Sequence, residues 1–167
     1  TINSEDIEGS MYMKVITYLK NAGYSHYEIS NFCKNNKESS HNKTYWQNLE
    51  YLGIGSGSHS QYKNKRFNTI RNVRKYIEDA KNNVFGNYEY YPYDKLNDEL
   101  LFGLRLMKGI HVENVNKKHN INLFKKYPEI ENFIKSGVLQ YKDNYLSFTV
   151  EGVMIGNEVF KLFVEVL

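Results

Sequence analysis

Six apolar residues, Ile7, Met11, Val15, Tyr18, Leu19 and Ala22, recur at spacings of three and four, and Gly23 follows them at once. The run YSHYEISNF at 24–32, rich in aromatic and β-branched residues, comes next. The first pattern is that of an amphipathic helix and the second that of a strand. Only a fold that lays helix against sheet uses both so close together, and the pair reads as the αβ half of a β/α unit. Asn3 or Ser4 is placed to cap the helix, Glu5, Asp6 and Glu8 suit the positive end of its dipole, and Gly23 ends it. In the strand, Tyr27 and Ile29 take one face and His26, Glu28 and Ser30 the other.

The same reading extends along the chain. EYLGIGSGSHSQY at 50–62 is the next strand candidate, KNK between Tyr62 and Arg66 is a hairpin turn before RFNTI, and Asn72 caps a helix with Val73, Tyr76, Ile77 and Ala80 on one face. Periodicity lapses in KNNVFGNYEYYPYD at 81–94, which predicts a boundary between a first domain, 1–88, and a second, 89–167. Beyond it Leu96, Leu100, Leu101, Leu104 and Met107 mark a helix closed by Gly109, and HNINLFKKY a short second helix. Pro128 opens a third, with Ile130, Phe133 and Ile134 inward and Gly137 as its stop. VLQY, the turn KDN and YLSF make a β-hairpin, and Thr149 caps a last helix carrying Val153, Phe160 and Leu167. Helices, one hairpin and a closing helix sketch a winged-helix-like module.

Composition limits the function classes. With 41% hydrophobic and 25% charged residues the 167-residue chain is globular, one domain or two small ones. Its net charge of +3 is interspersed without blocks, which argues against a tail that coats nucleic acid or lipid. No apolar run approaches the ~20 residues that cross a bilayer, and TINSEDIEGS has neither the basic nor the apolar region of a signal peptide. A single cysteine, Cys33, forbids an internal disulfide, so a reducing cytoplasm is the expected setting. The chain begins at Thr1, so it is expected to be a piece of something longer.

Chemistry-bearing residues concentrate in SSHNKTYWQNLEYLGIGSGSHS at 39–60. No Cys-x-x-Cys or His-Glu-x-x-His spacing exists to hold zinc. GIGSGS lacks the G-x-G-x-x-G spacing of a dinucleotide loop, and its glycines are equally explained by close approach of strand and loop backbones. His41, Tyr45 and Trp46 lie within six positions. A neutral imidazole suits haem iron and flat rings stack on a porphyrin. His41 and Tyr45 share a side whether the stretch is helical or extended. The plainer alternative is that Tyr45 and Trp46 are core aromatics and His41 bonds a backbone carbonyl.

AGYSHYEISNF at 22–32, HNKTYW at 41–46, EYLGIGSGSHS at 50–60, LLFGLRLMKGI at 100–110 and VEGVMIGNEVF at 150–160 stand in one order across nearly the whole chain. Together they resemble the C-terminal half of the oxygen-independent coproporphyrinogen III oxidase-like radical S-adenosylmethionine (SAM) proteins, above all the HemW type, regarded as haem chaperones. The resemblance implies the C-terminal remnant of an incomplete TIM-like barrel over 1–88, whose N-terminal half lies elsewhere, and a small winged-helix-like domain over 89–167. It implies a [4Fe-4S] cluster and SAM in the complete protein. The cluster's Cys-x-x-x-Cys-x-x-Cys motif is not in this chain, so no SAM cleavage, and no catalytic residue, is expected of it alone.

By the same resemblance HNxxYW implies haem binding, with His41 as axial ligand to the iron, Tyr45 and Trp46 lining the porphyrin and Asn42 as a positioning partner. Gly53 and Gly55 would let backbone approach SAM or substrate and His59 would touch it, while Ser30 and Asn31 sit at the C-terminal end of their strand, where barrel folds place their chemistry. The implied partners are haem or porphyrin and the haem-receiving proteins, such as a respiratory enzyme; no oligomeric state follows. The alternative within the family is the oxidase itself, which decarboxylates two propionates of coproporphyrinogen to give protoporphyrinogen IX. A nucleic-acid-binding winged helix is the alternative of another class. Lys117, Lys118, Lys125 and Lys126 favour it and the adjoining Glu129 and Glu131 oppose it, so no nucleic-acid partner is expected.

Overall fold

A computed structural model describes residues 4–84, 88–92 and 94–164. The chain divides into two compact units, Thr1–Gln47 with Leu96–Leu167, and Asn48–Lys95. The first unit opens with α1 (Ser4–Asn21). Gly23, at φ 81°, ends it as predicted, its amide donating to the Lys20 carbonyl at 3.0 Å. Asn3, one of the two proposed caps, lies outside the described residues, as do the side chains of Ser4, Glu5 and Asp6. The helix turns a different face inward than the apolar spacing predicts. Ile16 is buried, whereas Ile7, Met11, Val15 and Tyr18 are exposed. The inward face is set by specific contacts: the Tyr12 hydroxyl donates to the Ile29 carbonyl at 2.8 Å, and a Cβ on Gly9 would lie 3.0 Å from Met154 Sδ.

Residues 24–32 do not form one strand. They double back as a hairpin of β1 (Tyr24–Glu28) and β2 (Asn31–Lys34), with Tyr24 opposite Lys34 and the turn at Ile29 and Ser30. Two long-range backbone bonds fix the bend: the Ile29 amide donates to the Arg105 carbonyl and the Met107 amide to the Tyr27 carbonyl, each at 3.0 Å. The Asn31 side-chain amide closes the turn by donating to the Glu28 carboxylate. The expected succession of helix, glycine and strand is present, but the strand ends at Glu28 and the chain turns back antiparallel. Every strand pairing among the described residues is antiparallel, and these residues contain no closed barrel. After β2 comes α2 (Ser40–Trp46), capped by Ser39, whose hydroxyl accepts from the Asn42 amide at 3.3 Å.

The second unit contains β3 (His59–Tyr62), β4 (Lys65–Thr69), α3 (Val73–Lys81) and β5 (Tyr88–Tyr91), with sheet order β3-β4-β5. Only the end of the predicted 50–62 strand is extended, because Gly55 and Gly57 take φ of 109° and 70°. The β3–β4 turn is the pair Lys63 and Asn64, both at positive φ, the geometry that matches strand twist. Asn72 caps α3 as predicted, its side chain accepting from the Lys75 amide at 3.1 Å. Within the aperiodic segment, Tyr88 and Tyr90 pack on Phe67 at ring separations of 4.7 and 5.7 Å and carry a third strand. Residues 85–87 and 93 of that segment lie outside the described ones. The fully covered positions of this unit, Ser60, Gln61 and Asn68, are polar, while Leu52, Ile54, Val73 and Ile77 are exposed.

The chain then returns to the first unit. The helix α4 (Lys95–Gly103) stops a turn earlier than its leucines suggest, since the Met107 amide is taken by Tyr27. There follow β6 (Ile110–His111), α5 (Val112–His119), α6 (Leu123–Lys126), α7 (Glu129–Lys135), β7 (Leu139–Lys142), β8 (Tyr145–Phe148), a 3-10 turn at Gly152–Ile155 and α8 (Gly156–Phe160). Sequence periodicity places the second helix at 119–127; the structure puts its longer piece earlier, over α5, where Val112 and Val115 are buried. The hairpin and the Gly137 stop stand as predicted, whereas Thr149, accepting from the Gly152 amide at 2.9 Å, heads the 3-10 turn, and the single closing helix expected after it is broken into that turn and the short α8. Leu167 lies outside the described residues. The sheet order β6-β8-β7 backs a core of Leu100, Leu104, Leu123, Ile130, Leu146 and Phe148. Each such side chain contributes about 1.5–3 kcal/mol by leaving water. No described helix is long and apolar enough to cross a membrane.

Candidate functional site

The helix α2 buries none of its residues. Its helical form puts His41 and Tyr45 at i and i+4, and the Tyr45 hydroxyl lies 3.2 Å from His41 Nε2. The rings meet edge to face at 5.0 Å and 87°. His41 is exposed, and its Nδ1 has no partner among the described residues. Asn42 gives its backbone amide to the Ser39 cap. Trp46, five residues beyond His41 and so turned well away from it on a helix, packs elsewhere. The Arg105 guanidinium lies 5.0 Å from the indole centroid and Phe102 is tilted against it at 6.3 Å. The same guanidinium lies 5.4 Å from the Phe160 ring. The structure thus brings His41 and Tyr45 together and does not bring Trp46 onto their face.

Ser30 lies in the turn that follows the C-terminal end of β1, and Asn31 opens β2 with its side-chain amide engaged by Glu28. Beneath them lies a buried polar group. Glu28 is 1% exposed, His26 stacks on Phe32 at 4.5 Å, and His26 Nε2 and the Tyr12 hydroxyl both reach the Ile29 carbonyl, at 3.2 and 2.8 Å. Burial, and secondarily the Glu28 charge, raise the Tyr12 phenol above its ordinary value. The folded chain therefore keeps the phenol proton over a pH window in which the unfolded chain has released it. The associated stability is intact below about pH 10 and is lost as pH climbs through the folded value. Urea midpoints at about pH 9 and about pH 11 are expected to fall further in the unaltered chain than in Tyr12→Phe; equal losses would contradict this placement.

Gly53, Gly55 and His59 belong to the second unit. A Cβ on Gly53 would lie 2.2 Å from the His59 carbonyl oxygen, and its amide donates to Ser60 Oγ at 3.0 Å, so close backbone approach accounts for this glycine. Gly55 at φ 109° accepts from the Thr69 hydroxyl and has open space where a Cβ would stand. Both glycines line a cavity of about 220 Å³ with Tyr76, Asp79 and Tyr88. His59 is exposed on β3, stacked on Tyr91 at 6.0 Å, and is not among the residues lining that cavity.

Among the described residues no cluster of three or more His, Cys, Asp or Glu side chains is arranged to hold a metal ion. The single thiol, Cys33, is buried and cannot supply the three thiolates of an iron–sulfur cluster. Sequence reasoning missed Arg105, whose stacking on Trp46 spans about sixty residues of chain and leaves no local signal. On the basic face, Lys118 is tied to Glu99 at 2.6 Å.

Residues 92–155 match the HemN C-terminal domain family. The heme chaperone HemW of Lactococcus lactis is 34% identical over 96% of this chain and 43% of its own length, and that of Bacillus subtilis is 29% identical over 95% and 43%. A mitochondrial radical S-adenosyl methionine domain-containing protein 1 from mouse is 47% identical over 57 residues, which is 34% of this chain and 13% of that protein. The chain therefore spans less than half the length of these relatives. Among solved structures, the Escherichia coli coproporphyrinogen III oxidase HemN, a radical SAM enzyme, superposes with a TM-score of 0.67 over 93% of this chain and 40% of its own, at 11% identity, a likeness of fold.

Proposed function

Because the chain belongs to the oxygen-independent coproporphyrinogen III oxidase-like radical SAM proteins, of the HemW type, we propose that it is the haem-holding part of a haem chaperone. The observation that carries the reading is the exposed His41 imidazole paired through Nε2 with Tyr45. Haem is the cargo. An imidazole whose one nitrogen meets a hydroxyl is held in orientation, and its other nitrogen is free to ligate iron. The Tyr45 ring gives the porphyrin an aromatic edge, and Asn42 adds a polar side chain beside it. Among the described residues nothing encloses His41, which suits a ligand that must later give the haem to a recipient such as a respiratory protein. The buried free thiol of Cys33 fits a cytoplasmic setting.

The oxidase reading has less support. The relatives that match over nearly all of this chain carry the chaperone name, whereas the oxidase is met at 11% identity. This chain's residues do not fit a cluster, and no step through one is assigned to them. Titrating the full chain with haem and following the Soret band tests the proposal. His41→Ala is expected to weaken binding at least about tenfold and Tyr45→Phe about two- to fivefold, the scale of an outer partner of a ligating histidine. An unchanged titration of His41→Ala would remove the assignment.

A further inference from the structure

A cleft in the first unit lies between the end of α2, the segment after α4, and β6 and β8. Its volume is about 350 Å³, and Trp46, Glu99, Lys108, His111 and Tyr145 border it. Besides the Tyr145 hydroxyl, three of these residues carry hydrogen-bond donors. Trp46 Nε1 is buried with no acceptor among the described residues, a condition that costs free energy unless something fills it. His111 caps α5 by accepting the Asn114 amide on Nδ1 at 3.3 Å. In the neutral ring this leaves the proton on Nε2, again without a partner among the described residues. Lys108 lies 4.9 Å from the Tyr145 ring centroid and meets no carboxylate among the described residues. Glu99, the one acid among the described residues of the rim, already accepts from Lys118 at 2.6 Å and His119 at 2.8 Å.

Two ring N–H groups and an ammonium without an acceptor describe a site for an anion with oxygen acceptors. The aromatic walls of Trp46 and Tyr145 favour one carried on an apolar body. We propose that this cleft is a carboxylate subsite that takes a propionate of the tetrapyrrole held at His41. The inference rests on the haem reading above and deepens it. Trp46, which does not share the His41 face, thereby has a role in the same ligand's recognition through its N–H.

The test compares haem with its dimethyl ester, in which the propionates can no longer carry charge, by Soret titration of the full chain. In the unaltered protein the ester is expected to bind about tenfold more weakly. In Lys108→Gln, an exposed position, haem and ester are expected to bind within about twofold of each other, and Trp46→Phe is expected to shrink the difference as well. An ester penalty in Lys108→Gln equal to that of the unaltered chain overturns the subsite and leaves the haem reading standing. If neither ligand titrates, the haem reading fails by itself. The cleft is then judged with glutarate, read by emission of the chain's single tryptophan, Trp46, which borders the cleft. A saturable change lost in Lys108→Gln sustains a carboxylate site; no saturable change overturns it.

Discussion

Gly109→Val is expected to destabilise the chain by about 4 kcal/mol or more, most of the stability an ordinary domain possesses. The backbone at Gly109 has φ 71°, and a Cβ there would lie 2.0 Å from the Leu146 carbonyl oxygen and 2.6 Å from Ser147 Cβ. The strain is therefore double: a left-handed conformation that a β-branched residue resists, and a collision with backbone that cannot move without opening the β6–β8 pairing. Gly137 is the internal control. It has φ 76° but open space around its Cβ position, so Gly137→Ala should cost only about 1 kcal/mol. Urea denaturation of the two variants, followed by circular dichroism, measures both. Equal midpoints would show that the approach of Gly109 to β8 is not what holds this segment.

Hydrogen exchange is expected to separate the two units by roughly a thousandfold in protection. The slow amides should be those of β8 and α4, which flank Leu100, Leu146 and Phe148, each at most 1% exposed. In the second unit the covered side chains are Ser60, Gln61 and Asn68, and no hydrophobic residue between Asn48 and Lys95 is buried among those described. Polar burial returns about what it costs, so the β3-β4-β5 sheet rests on its ladder bonds and the half-covered Phe67 with Tyr88 and Tyr90. Exchange in β4 as slow as in β8 would count against this picture. The Asp79–Lys75 ion pair on α3, exposed at its lysine end, adds little.

What the sequence revealed, and what it hid, follow from the range of the forces involved. The Asn72 cap, the Pro128 start, the Gly137 stop and the Asp143–Asn144 turn are written in a few adjacent residues, and each is found where the residues imply. The hairpin at 24–34 was hidden because its bend depends on backbone bonds from residues 105 and 107. The burial of α1 was misread for the opposite reason: its most regular apolar stripe faces outward, while the inward face is made by Gly9, Tyr12 and Ile16. At the site, the His41–Tyr45 pairing is a consequence of helical spacing and was legible. The separation of Trp46 from that pair, by contrast, needed Arg105 and Phe102, and the role of Ser30 and Asn31 in a turn needed the buried Glu28.

The stacking of Arg105 between Trp46 and Phe160 has a mechanical corollary. A seven-residue helix with no buried side chain of its own cannot fix its own orientation; its bearing is inherited from the module it leans on. The Arg105 guanidinium, with Phe102 beside it, ties the end of α2 to α8, so a displacement of α8 bears on the segment that presents the imidazole.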